Sequence, residues 1–119
     1  MNEHCYKTLD AYKVAKELVK CIYQLLKKFP REEQYALCDQ LRRAAISVPS
    51  NIAEGISRYS NKEKSHFMEI AFGSLMEVDA QIDIAFDLGY INKDELDRVM
   101  ELVARESKMI SGLRAKYNS

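Results

Sequence analysis

Apolar residues recur along the chain at alternating steps of three and four, the period of a helix face rather than of a strand. The first run is Tyr12, Ala15, Val19, Ile22, Leu26 and Phe29, which predicts a helix over about 9–28. Successive helical residues are ~100° apart, so Val14, Leu18, Cys21, Tyr23 and Leu25 fall beside that seam. The apolar arc is then roughly 200° wide, about twice that of a helix lying on a surface. Two bundle neighbours would cover most of it, and a second subunit would cover the rest. That reading requires Leu18 and Leu25 to stay uncovered within a single chain. The opposite stripe holds Lys13, Lys16, Lys20 and Lys27.

A second helix is predicted over about 31–57. Pro30 precedes it, where a missing N–H does no harm, and Glu32 and Glu33 suit the dipole of a first turn. Its seam is Cys38, Leu41, Ala45, Val48, Ile52 and Gly55. Pro49 interrupts it and removes the bond to the carbonyl of Ala45, a change worth about 3 kcal/mol in a helix interior. The helix either stops there or continues with a kink. Ile52 and Gly55 keep the period, so a kinked helix is expected. Ser60 with Glu63 forms a capping box that opens a third helix over about 61–88, with Phe67, Ala71, Ser74, Val78, Ile82 and Ala85 inward. Glu69, Asp83 and Asp87 occupy its far side. Gly89 is a stop signal. Asn92 with Glu95 is a second capping box, and Ile91 with Leu96 the matching hydrophobic staple. The fourth helix, about 93–117, turns Leu96, Val99, Met100, Val103, Ile110, Leu113 and Tyr117 inward. Short loops make sequential helices antiparallel. The predicted architecture is all-α, a single domain over 1–119 forming an antiparallel up-and-down four-helix bundle.

Composition supports this. Hydrophobic residues make up 47% and charged residues 30%, with only 4 Gly and 2 Pro to break helices. The residues before Lys7 contain no apolar secretory core, and no run is long enough to span a bilayer, so a cytoplasmic protein without a membrane partner is expected. Cys5, Cys21 and Cys38 show no CxxC pairing and read as reduced thiols. Net charge is zero, but residues 1–60 carry 10 Lys+Arg against 7 Asp+Glu and residues 61–119 carry 8 against 11. Opposite charge on separate faces suits head-to-tail association.

Candidate chemistry is sparse. A di-iron bundle needs two Glu-x-x-His pairs and two further Glu. Only Glu63-x-x-His66 is present, His4 has no such partner, and Glu63 is accounted for as a capping residue. No Ser or Cys has an evident base, and no Gly-rich phosphate loop occurs. Glu54 and Glu77 lie near the apolar arcs, where capping, pairing with Arg42 or Arg43, or bonding to the kinked backbone would explain them. The expectation is therefore no catalytic residue, no metal and no cofactor. Lys13, Lys20 and Lys27 repeat every seven residues, about 10 Å apart along the axis. With Lys16, and extended by Arg42, Arg43, Arg58 and Lys62, they form a candidate surface for RNA or DNA phosphates.

The blocks Gln40–Ala45 (QLRRAA), Ser47–Ser50 (SVPS) and Asn51–Gly55 (NIAEG), with Arg58, Ser60, Gly73, Ser74 and Glu77, resemble the signature of the 23S rRNA intervening-sequence proteins. The layout of the outer helices fits the same pattern. The resemblance implies a four-helix bundle without established enzyme activity. It also implies a ring, since a relative, the accessory protein of diversity-generating retroelements, is a pentameric barrel that binds a reverse transcriptase and nucleic acid through basic surfaces. This chain departs from that relative in being neutral overall. Within the signature, Pro49, Asn51, Glu54 and Gly55 read as structural. Asn51, Ser47 and Ser50 can bond backbone freed by the proline, and Gly55 admits a neighbouring helix. The resulting expectation is a homo-oligomeric, pentameric scaffold or adaptor. A nucleic-acid-binding accessory protein that uses the basic first helix is the alternative.

Overall fold

The computed structural model describes residues 5–118; His4 and the side chain of Cys5 lie outside that range. Four helices follow in order: α1 (Asp10–Leu26), α2 (Leu37–Ile56), α3 (Asn61–Asp87) and α4 (Lys93–Asn118). Among the described residues there is no strand. Each helix packs on the next, and α4 returns to α1, giving a rod of 45 × 22 × 20 Å. Cross-helix pairs fix the antiparallel sense. Gln81 donates to Gln40 and Ser74 to Ser47 between α3 and α2, and Lys28, just past α1, meets Glu95 at the start of α4.

The seams explain the core. Ala15, Ile22, Leu41, Ala45, Val48, Ile52, Ala71, Val78, Ile82, Val99 and Ile110 are buried. Met68, Leu75 and Leu102 join them from positions beside the seams. The wide apolar arc of α1 is satisfied differently from the expectation. Leu18 is 0% exposed and Leu25 8%, both covered by their own chain, as is Val14. Contact with both α2 and α4 accounts for this. The width of that arc is therefore no argument for a second subunit.

The second helix also begins later than expected. Arg31–Glu33 form a 3-10 turn, and Ala36, at φ −121° and ψ −100°, separates it from α2. The reason lies in the sequence. Residues 31–36 place no apolar side chain on the seam, so packing does not reward a helix there. Glu33 instead accepts a 2.7 Å bond from the hydroxyl of Tyr90. From Leu37 the helix runs through Pro49 to Ile56 without ending. Asn51 Nδ2 donates to the carbonyl of Ser47 at 2.8 Å and to its hydroxyl at 2.9 Å, clamping the turn that contains the proline.

Gly55 lies where α2 meets α3. A Cβ there would come within 2.7 Å of Phe67 Cβ and of Met68 Cε. The Phe67 atom is anchored to backbone and cannot swing aside. Gly55→Ala should destabilise the protein by about 1–3 kcal/mol through overpacking, despite the better helix propensity of alanine. Gly112→Ala meets nothing within 4 Å and should stabilise by about 0.4–1 kcal/mol. Urea denaturation of the two variants, compared with wild type, checks both signs.

Both expected caps open their helices, but only one is a full capping box. Ser60 Oγ accepts from Glu63 N at 3.1 Å and donates to the Glu63 carboxylate at 3.3 Å, so that carboxylate does not reach back to the Ser60 amide. Asn92 and Glu95 exchange bonds, each 2.8 Å. Leu88 to Tyr90 close α3 in a Schellman turn, with Gly89 at φ +82° and the Tyr90 amide donating to Ala85. One end of the rod is densely tied. Lys28 holds Glu95 at 2.7 Å, Tyr90 holds Glu33, and the Phe29 and Tyr90 rings lie 5.3 Å apart. At the opposite end, Ser65 donates to Asn118 at 2.7 Å.

Candidate interaction site

An apolar groove of about 380 Å³ lies open to solvent between α1 and α2. Its floor is Val19, Ile46 and Pro49; Tyr6 and Tyr12 wall one end, and Lys16 and Lys20 stand on the rim. Local structure explains each placement. Tyr6 comes from the 3-10 turn Cys5–Thr8 and meets Tyr12 edge-on at 5.0 Å. Lys16 lies 5.3 Å from the Tyr12 ring centre, a cation–π contact that keeps its ammonium beside the groove. Ile46, one position past the buried Ala45, points outward and is 42% exposed. Pro49 is buried as a whole and forms the base of the groove beneath it.

The basic residues expected to share one patch are divided. Lys13, Lys16, Lys20 and Lys27 are all exposed on α1. Arg42 is folded onto Gln34, 3.4 Å from its carbonyl and from its side-chain oxygen, and lines a small cavity with Lys27. Arg58 pairs with Glu54 at 2.6 Å and lies 4.8 Å from the Phe67 ring centre. Glu54 is thus matched to Arg58 and not to Arg42 or Arg43, because i,i+4 spacing brings the two together. Arg43 belongs elsewhere, in a groove of about 310 Å³ between α2 and α3. There it faces Glu77, Gln40, Gln81, Ser47 and Ser74. Most of those residues belong to the blocks that carried the family resemblance.

Glu63 is engaged with the Ser60 cap of α3, its amide donating to the Ser60 hydroxyl and its carboxylate accepting from it, and His66 stacks edge-on with Phe67 at 5.8 Å. Among the described residues no three His, Cys, Asp or Glu gather as metal ligands would. No helix among them is long and apolar enough to cross a membrane. Cys21 and Cys38 are free thiols, and burial pushes the Cys38 thiol up.

Two features were not foreseen. Glu106 occupies the core position of α4 between Val103 and Ile110. It is 0% exposed, and neither carboxylate oxygen has a hydrogen-bond partner. Burial pushes its pKa up to about 8, against a smaller downward pull from Arg105, so it is held neutral at pH 7. The spacing of the Val103 and Ile110 seam was the signal that would have found it. The other feature is the outer face of α3, where Ile70, Ile84 and Leu88 are 38%, 49% and 53% exposed among the acidic residues.

Such a rod carries open apolar surface and segregated charge but, among its described residues, no assembled set of reacting groups. Its fold is an all-α bundle of four helices. The chain belongs to the 23S rRNA-intervening sequence protein family, which it matches over residues 7–112. It is similar in fold to the crystal structure of a protein of unknown function from the S23 ribosomal protein family of Bacteroides thetaiotaomicron. The TM-score is 0.80 and the identity 17%, covering 87% of this chain and 97% of that one. No curated protein matches the chain.

Proposed function

We propose that the protein is a non-enzymatic, homo-oligomeric scaffold of the cytosol that closes into a ring, a pentamer by family resemblance. The observation carrying this reading is the basic-rimmed apolar groove between α1 and α2. Val19, Ile46 and Pro49 line a contiguous apolar floor that is open to water, the kind of surface that marks an interaction site. Pro49 has no N–H to offer the Ala45 carbonyl, and a kink of α2 at this wall of the groove is part of the proposal. The free thiols Cys21 and Cys38 suit a reducing compartment.

Exposure of all four α1 lysines favours a second reading, RNA or DNA binding through phosphates, with Arg43 as an outlying contributor. Arg42 and Arg58 are engaged within the chain and add little to it. Repetition around a ring would multiply a modest stripe by avidity. Sedimentation equilibrium at micromolar concentration tests the first reading: a closed oligomer is expected, and a monomer at both low and high salt overturns it. The same runs with structured RNA test the second. Co-sedimentation at about 50 mM salt that collapses at several-fold higher salt is expected of phosphate contacts, and a Lys13/Lys20/Lys27 triple glutamate variant that binds unchanged counts against it.

A further inference from the structure

We propose that the α1–α2 groove of one copy receives the outer face of α3 from the next copy, in a head-to-tail contact. This rests on the oligomeric reading and names the two surfaces that meet.

The helix α3 carries two seams. One is the buried set that faces the core. The other runs along the solvent side as Ile70, Gly73, Glu77, Ala80 and Ile84, again at steps of three and four, and all are exposed. Leu88 extends it by one turn. Sustained spacing of this kind is what helix-to-helix packing requires, yet no described element of the chain covers it. Gly73 and Ala80 are small, and a Cβ at Gly73 would meet nothing within 4 Å. They leave room for the Ile46 side chain of the next copy to approach closely.

Charge decides what pairs with what. Glu69, Asp83 and Asp87 flank the α3 stripe, and Glu77 lies within it; all are exposed. Lys16 and Lys20 stand on the rim of the groove, and Lys13 and Lys27 continue the same exposed lysine stripe along α1. Pairing groove with groove would set lysine against lysine, and pairing stripe with stripe would set acid against acid. Only the mixed pairing opposes unlike charges. The spans match as well: Lys13 to Lys27 and Glu69 to Asp83 are each fourteen residues, about 21 Å of helix. In this head-to-tail contact each copy offers its groove to one neighbour and its stripe to the other, and the chain of copies closes into a ring where the rotation between them permits.

The test uses Ile46→Asp, which spoils the groove, and Ile84→Asp, which spoils the stripe. Both positions are exposed, and circular dichroism confirms the fold. Each variant alone should sediment as a monomer. Mixed in equal amounts, they should form a 1:1 dimer of twice the 13.7 kDa chain mass, joined through the one intact groove and the one intact stripe, and nothing larger. Lys16→Glu with Lys20→Glu, which touches no core position, should reproduce the groove defect and serves if Ile46→Asp misfolds. Asp83→Lys with Asp87→Lys does the same for the stripe. Variants that assemble like wild type overturn this pairing while leaving the oligomer in place, as when the groove holds RNA and the ring closes elsewhere. A mixture that stays monomeric overturns the head-to-tail geometry. A wild-type monomer overturns both this inference and the reading beneath it.

Discussion

Replacing Glu106 with leucine should stabilise the protein, by an amount that grows as pH rises. The carboxyl is buried without a partner, and its pKa stands at about 8 against an ordinary value of 4.5. Below pH 4.5 it is protonated in both folded and unfolded chains, and its ionisation does not affect stability. Between pH 4.5 and about 8 the unfolded chain releases the proton and the folded one keeps it. The unfolded state then binds fewer protons, so stability falls with rising pH at up to ~1.4 kcal/mol per unit. The whole window amounts to something of the order of 5 kcal/mol. Above about pH 8 the loss is complete. Glu106→Leu removes this slope and also relieves an offset of about 1–3 kcal/mol at acid pH from the unpaired polar group. Glu106→Gln removes the slope alone. Denaturant midpoints of wild type and variants at one protein concentration, taken at intervals from about pH 4.5 to about pH 8, check this. A difference between the Glu106→Leu variant and wild type that does not change with pH would contradict it.

Truncation of Leu18 has the second large effect. Its side chain is wholly covered within one chain, so Leu18→Ala opens a cavity in the core and should cost about 2–5 kcal/mol. That loss should be the same at every protein concentration. Val19→Ala, one position on and lining the groove, should instead weaken association and shift apparent stability with concentration. Thermal unfolding over a wide dilution series separates the two. A Leu18→Ala defect that grows on dilution would mean that subunit contact, not the bundle, covers this residue.

These neighbours show where the sequence was legible. The steps of three and four place Ile22, Ala45, Val78 and Val99 in the core without ambiguity, and Ser60 and Asn92 mark helix starts by their own hydrogen-bonding chemistry. A helical wheel does not say how far two neighbours wrap around a third helix. Leu18 and Leu25 therefore looked surplus, although α2 and α4 together enclose them. Glu106 escaped because the α4 seam was followed by hydrophobicity, whereas its spacing alone would have placed a carboxyl inside. The outer stripe of α3 was hidden by Glu69, Asp83 and Asp87, which mark the face as solvated and distract from Ile70 and Ile84 between them. Arg42 and Arg58 illustrate a different limit. Their charge is plain in the sequence, but their engagement with Gln34, Glu54 and Phe67 depends on local geometry that composition does not reveal.

The uneven ties at the two ends of the rod have a consequence for how it comes apart. Where Phe29, Glu33, Tyr90 and Glu95 interlock, two loops are stapled together and any opening must break several contacts at once. At the far end Ser65 and Lys64 reach Asn118 and the Tyr117 ring in the last turn of α4, but no loop joins that turn to the first turn of α1. Heat or denaturant should therefore unzip the rod from its termini, with the interlocked loops the last region to admit water, a gradient that amide hydrogen exchange along α4 would trace residue by residue.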